Sequence, residues 1–219
     1  MPSPPTRQRK ARGKSAPQRP YHHGNLQQTL IETAVQLIEA GGLENITVRE
    51  VARAAGVSPA APFRHFANRT ALLTAVAEEA MTRLTAEVER GLAQEAGSNP
   101  LLQFRAIGHA FLRWAIANPT HFQVISNRAV IDFETSSLRS RNDAIRARVT
   151  ALLEQAQAQG LLRPGDVMRY QIGSRALVYG LARMYVDGQF PSWELDEEAA
   201  LENSLAVFDQ FIDSIASRS

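Results

Sequence analysis

Side chains equipped for chemistry are few in this 219-residue chain, and they do not converge on a catalytic pattern. Cysteine is absent, which removes thiolate nucleophiles, thiolate metal sites and disulfides together. His22 and His23 are adjacent, whereas His65, His109 and His121 are scattered with no i, i+4 pair, so metal-ligand spacing is missing. No nucleophile elbow or phosphate-binding loop occurs. Asp132 and Glu134 are neighbours in the manner of ordinary solvated loop acids. An enzyme is not expected, and neither a cofactor nor a metal is implied. Positive charge, by contrast, is concentrated. Arg7, Arg9, Lys10, Arg12, Lys14 and Arg19 put six cations and no acid into the first twenty residues, in a chain of net charge only +2. Such a run is suited to neutralising phosphates, the sequence-independent part of nucleic-acid binding. With four prolines in its first seventeen residues, the arm spanning residues 1–20 is expected to be disordered in the free protein. On DNA it could line the phosphates or enter the minor groove; a solubilising tail is the alternative.

Elements able to position a DNA contact follow the arm. Asn25 with Gln28 can cap a first helix whose inner side carries Leu26, Leu30, Ala34, Leu37 and Ile38. Residues 47–66, TVREVARAAGVSPAAPFRHF, then read as two short helices and a tight turn. Thr47 and Glu50 form a capping box, and Val48, Val51, Ala52 and Ala55 share one apolar face. Gly56 is placed to close that helix in the left-handed conformation, and Val57 can plug the space between the two helices. Ser58 is an N-cap and Pro59 a first helical residue, which predicts a second helix over residues 59–65 anchored by Phe63 and Phe66. Pro62 deletes the first regular backbone hydrogen bond of that helix, so a tightened or irregular start is expected. Helix, glycine turn and short second helix make a helix-turn-helix, which lays its second helix in a major groove.

Residues 24–73 resemble the N-terminal domain of the TetR family of bacterial transcriptional regulators. The resemblance rests on a helix ending in Gly41-Gly42, the stretch ITVREVARAAGVS, the aromatic-x-His-Phe of residues 63–66, and the helix start Asn68-Arg69-Thr70 with Leu72-Leu73. The lead-in YHHGN, residues 21–25, resembles one subgroup of the family. By that resemblance Ser58 is a DNA contact and Thr47 and Arg49 face the DNA backbone, while Pro59, Ala60 and Ala61 form the face that meets base edges. Those residues offer apolar contact to thymine methyls rather than side-chain donors. Phe63 stands where the family usually has Tyr, Arg64 and His65 remain for phosphates or bases, and Arg69 replaces the usual Lys. Specificity should then lean on DNA shape and arginine contacts.

The rest of the chain reads as helices: a long one from Asn68 to about Gly91, one carrying Phe104, Ile107, Phe111 and Trp114, a short apolar stretch at 121–125, then 134–159, 166–187 and 195–215. The fold class is all-α with about nine helices. Its domains are a basic arm (1–20), a three-helix DNA-binding domain (21–67) and a C-terminal effector-binding and dimerisation domain (68–219), whose first helix links the two. Phe104, Phe111, Trp114, Phe122, Phe133 and Tyr179 could line a cavity for an apolar ligand, with His109, Arg113 and His121 as polar anchors. Residues 174–190, SRALVYGLARMYVDGQF, are similar to the signature segment of the WHG-type C-terminal domain of some TetR proteins, with Tyr179 in place of the usual His. That resemblance implies a four-helix dimer interface using Tyr170, Gly173, Leu177 and Gly180 with Leu201, Leu205, Phe208 and Ile212. The expected protein is a homodimeric regulator of a palindromic operator, a repressor released by a small-molecule effector. An activator of the same fold and a sequence-neutral architectural binder are the alternatives. No apolar run reaches eighteen residues and the basic start lacks an apolar segment after it, so a cytoplasmic, nucleoid-associated protein without a membrane partner is expected.

Overall fold

The computed structural model describes residues 26–217. Eight α-helices run in the order α1 (Leu26–Gly41), α2 (Val48–Ala54), α3 (Arg69–Gln94), α4 (Pro100–Ala117), α5 (Pro119–Ser126), α6 (Ser137–Ala158), α7 (Val167–Val186) and α8 (Glu197–Ile215). Three short 3-10 turns supplement them at Leu43–Asn45, Pro62–Arg64 and Phe190–Trp193. No β-strand occurs among the described residues, only an isolated bridge between Leu162 and Ala216. Nor is any described helix long and apolar enough to cross a membrane. The basic arm, the YHHGN lead-in and the Asn25 cap lie outside the described residues.

Local chemistry sets the helix limits. Asn68, Asn99, Ser136, Asp166 and Asp196 each accept a backbone N–H from the first turn of α3, α4, α6, α7 and α8, removing one orphan donor apiece. Pro100 and Pro119 open α4 and α5, where a missing N–H leaves no bond unmade. Helix α2 ends as its sequence requires: Gly56 has φ +69°, and Val57 N donates to Ala52 O at 3.0 Å.

One expected helix is absent. Residues 59–65 form a turn and the 3-10 segment Pro62–Arg64, so the described chain has eight α-helices where about nine were expected. The bonds Ala61 N to Ser58 O (3.0 Å) and His65 N to Pro62 O (2.9 Å) span three residues instead of four. Pro62 is the cause. It has no N–H to offer to Ser58 O, and its ring would crowd that carbonyl in a regular helix.

A single apolar cluster runs from Leu30 to Ile215, with α3 through its middle. Helix α3 packs on α1, α4, α5 and α6, and α4 packs on α3, α5, α6, α7 and α8. Two glycines permit the closest approaches. Gly91 lets α3 near the Ala106 carbonyl of α4, and a Cβ on Gly108 would overlap the Phe208 ring of α8. Phe208 is 1% exposed and has nowhere to retreat. Gly108→Ala should therefore lower unfolding free energy by about 1–3 kcal/mol despite the better helix propensity of Ala. Urea denaturation of the variant beside the parent protein measures the difference.

Candidate nucleic-acid interface and effector cavity

The N-terminal end presents a cationic, otherwise apolar edge. Thr47 caps α2: its hydroxyl accepts from Glu50 N at 3.2 Å and donates to the Glu50 carboxylate at 2.8 Å. In its first turn Arg49 is exposed, with no hydrogen bond or ion pair among the described residues; the same holds for Arg64. Arg53 is a third such cation, one helical turn beyond Arg49 on the same face of α2. Sequence reading passed over it, although the i, i+4 spacing was the available signal. Ser58, Pro59, Ala60, Arg64 and His65 are exposed and Ala61 half-buried, so the expected reading surface faces outward.

Two expected roles are corrected. Phe63 does not anchor the reader: it is 48% exposed, while Pro62 and Phe66 turn inward and hold the segment. Arg69 does not extend toward DNA. Its Nε donates to Ile46 O at 3.0 Å and a terminal nitrogen to Leu43 O at 2.7 Å. It therefore latches the start of α3 onto the loop that leads into α2 through two charge-assisted bonds to backbone carbonyls.

A second polar joint ties the reader to the body. Thr120 of α5 donates to Glu39 of α1 at 3.2 Å, and Gln28 of α1 donates to Glu79 of α3 at 3.3 Å. His121, buried beside Glu79 at 3.7 Å, has its pKa lowered mainly by burial and then by Arg83. It stands in this joint rather than in a ligand cavity.

The cavity itself measures about 640 Å³ and is walled by α3, α4, α5, α6, α7 and Phe208 of α8. Of the residues expected to line it, Phe104, Phe111, Trp114, Phe122, Phe133 and Tyr179 do. Phe111, Trp114 and Phe122 meet edge to face or tilted, with ring centres 6.0–6.4 Å apart, and Tyr179 lies 5.5 Å from Phe122. His109 and Arg113 do not line it. His109 sits 2.7 Å from Asp209, which also takes two 2.6 Å bonds from Arg105, and Arg113 approaches Glu87 at 3.7 Å. Burial pushes the Asp209 carboxyl upward, but the bonds from Arg105 and His109 prevail and hold it below the usual carboxylate range. These contacts clamp α4 to its neighbours. The wall's cations are instead Arg128, Arg146 and Arg175, which sequence reading did not single out.

The expected dimer residues divide. Phe208 and Ile212 are buried at 1% and 5% exposure within their own protomer, which removes them from a seam between subunits. Tyr170 is half-buried, its hydroxyl donating to Arg163 O at 3.1 Å, and Gly173 lies beneath Phe211. Leu177, Gly180, Leu201 and Leu205 are half-buried, while Met168, Ile172 and Val207 on the same two helices are exposed.

A cationic helix-turn-helix edge joined by a latched helix to a cavity-bearing helical body defines a DNA-binding transcriptional regulator. Residues 30–76 match the family model described as bacterial regulatory proteins, tetR family, and residues 104–208 match that of the tetracyclin repressor-like C-terminal domain. The chain belongs to the TetR family, whose members act by binding DNA, not by catalysis, and work as dimers. A Rhodococcus protein of unknown function is 30% identical, with 91% of this chain and 100% of that one aligned at a TM-score of 0.72. The TetR-family regulator PfmR of Thermus thermophilus is 21% identical over 87% of this chain and 96% of its own, at a TM-score of 0.68. Among curated proteins, the nucleoid occlusion factor SlmA of Vibrio campbellii is 27% identical over 142 residues, 64% of this chain and 71% of that protein.

The two arginines separate under mutation. Arg49→Ala should weaken binding to every DNA sequence and reduce the slope of log affinity against log salt by about one, leaving thermal stability unchanged. Arg69→Ala should do the converse, lowering stability by about 1–3 kcal/mol with little change of slope. Fluorescence anisotropy at several salt concentrations, beside thermal melts, reads both; an unaltered slope for Arg49→Ala removes that residue from the interface.

Proposed function

We propose that this chain is a homodimeric repressor that reads a palindromic operator and is released by a small molecule bound in the α3–α8 cavity. The observation that carries the reading is the shared wall. Met81, Leu84 and Val88 of α3 face the cavity, and Arg69, about 18 Å up the same helix, grips the loop that leads into the reader. Helix α5 repeats the arrangement, with Phe122 in the cavity wall and Thr120 bonded to α1. A ligand that prefers one placement of α3 and α5 would shift the pair of readers toward that placement, and DNA would favour another. The same division assigns residues 21–67 to DNA and 68–219 to effector binding and dimerisation.

Pairing is assigned to the outer faces of α7 and α8, through Leu177, Gly180, Leu201 and Leu205 together with Val207. Reading by one short 3-10 segment touches few base pairs, so a two-fold dimer is needed to reach useful specificity. The place of action is the cytoplasm, at the nucleoid. Similarity to nucleoid occlusion factors favours a second reading, in which the chain binds DNA of the nucleoid in a role other than control of one operator.

Gel shifts on the promoter region beside the protein's own gene, with random DNA as competitor, test operator recognition. A preference of at least about a thousandfold is expected for a regulator, whereas equal competition would indicate sequence-neutral binding. For the dimer, Val207→Glu and Leu205→Glu should each sediment as a folded monomer with poor operator affinity. A dimer that persists in both variants places the interface elsewhere.

A further inference from the structure

The chemistry of the cavity wall goes further than its apolar character. Its interior is made of Phe104, Phe111, Trp114, Phe122 and Phe208, all less than 9% exposed. Its cationic residues are exposed, and so are Met168 and Ile172 of α7, at 61% and 60%, so the cavity opens along α7. No Asp or Glu among the described residues lines it. Arg146 is paired with Asp143 at 3.2 Å, but Arg128 and Arg175 have no hydrogen bond or ion pair among the described residues. Their heads are nevertheless not trailing into bulk water. The Arg175 guanidinium sits 4.9 Å over the Phe111 ring and 6.0 Å from the Tyr179 ring, and the Arg128 guanidinium lies 3.0 Å over Phe133. All three rings belong to the cavity wall.

Two like charges are thus held at the rim of one cavity. Arg175 retains accessible surface, yet protein crowds it, as fits a group on the wall of an open cavity; its pKa is lowered by burial first and by the neighbouring Arg128 second. Arg128 is likewise lowered by burial, and Glu134, the acid that opposes this, is already bonded to Arg139 at 2.6 Å. Crowded, mutually repelling cations without a counter-ion raise the energy of the empty state. An anion arriving between them would relieve that cost, and the planar guanidinium fork matches a carboxylate in particular.

We infer that the ligand of this cavity is an amphipathic carboxylate, its charged head held by Arg128 and Arg175 and its apolar body lying among Phe104, Phe111, Trp114 and Phe122. The inference deepens the effector reading of the preceding subsection and rests on it. A neutral or cationic body of the same shape fills the same space but leaves both arginines uncompensated, so head-group charge decides the affinity.

A matched series of decanoate, 1-decanol and decylamine tests this on the full chain. Binding is read from Trp114 fluorescence in a Trp193→Phe background, which silences the other indole, and from calorimetry. Decanoate should bind about tenfold or more tighter than either companion. Arg175→Gln and Arg128→Gln should each erode that preference, Arg175→Lys should keep part of it, and the double glutamine variant should abolish it. The inference is overturned if the alcohol or the amine binds as tightly as the acid, if the preference survives in the double variant, or if no member of the series binds. Anisotropy of labelled promoter DNA in the same samples separates the two proposals. Arginine-dependent decanoate binding that leaves DNA affinity untouched would keep the ligand class and sink the release mechanism.

Discussion

Burial of α3 along nearly its whole length is the constraint on which the remaining structure depends. From Leu72 to Leu92 one side of this 26-residue helix is sealed against α1, α4, α5 and α6. A helix packed against four neighbours cannot bend freely to absorb a disturbance, because close-packed interiors pass displacement on instead of damping it. At one end Arg69 fixes the loop before α2; about half-way along, Met81 and Leu84 enter the cavity wall. The reader is therefore set by where α3 lies, and so is the shape of the cavity. Any ligand that acts on DNA binding in this fold must work through that shared element or through α5, which has its own bond to α1.

Much of the DNA-facing edge was legible in the sequence because its determinants are local. Thr47, Gly56 and Asn68 act on backbone within a few residues, so their types and spacing specify α2, its closure and the start of α3. The reading element was half legible. Ser58-Pro59 promised a helix, but Pro62 withholds the donor that would complete its first turn, and i to i+3 bonds prevail over a segment this short. Arg69 was not legible at all. Its position at a helix start resembles a phosphate contact, and only the folded loop shows two carbonyls, Leu43 O and Ile46 O, within its reach.

Side-chain direction explains the larger errors and could have prevented one. Phe104, Ile107, Phe111 and Trp114 follow one another at three- and four-residue steps, which defines the cavity face of α4. His109 and Arg113 each fall two residues from Phe111, about 200° around the helix, and join Arg105 in a polar stripe meeting Asp209 and Glu87. The seam on α8 is a different case. Spacing of Leu201, Leu205, Phe208, Ile212 and Ile215 establishes that one face is buried, but not which molecule buries it. Phe208 goes into its own protomer because Gly108 leaves room for the ring, a complementarity between residues a hundred positions apart. Arg175 was hidden for the opposite reason: an arginine within SRALVYGLARMYV reads as solvated until Phe111 and Tyr179 are seen around it.

An apolar, abbreviated reader also bears on how regulation could be economical. Ala60 and Ala61 offer no side-chain donors, so under the proposed function each head would supply mainly the phosphate attraction of the exposed Arg49, Arg53 and Arg64. Attraction of that kind is nearly independent of sequence, and discrimination must come from groove shape and from the fixed separation of two heads. Two weak heads on one rigid body gain from each other only while both can reach their half-sites; once the spacing is wrong, the second contact is lost outright. Moving such a dimer from about 1% to about 99% of the mis-spaced form takes a differential affinity near 5.5 kcal/mol, shared between two cavities. Under the proposed assignment, two charge-assisted bonds per carboxylate, made only in the state where Arg128 and Arg175 can both reach it, would be of that order. A reader with strong base-specific contacts would hold on to DNA with one head alone and would need far more from its ligand. The weakness of the reading segment is, on this argument, what makes a modest anion site sufficient to control it.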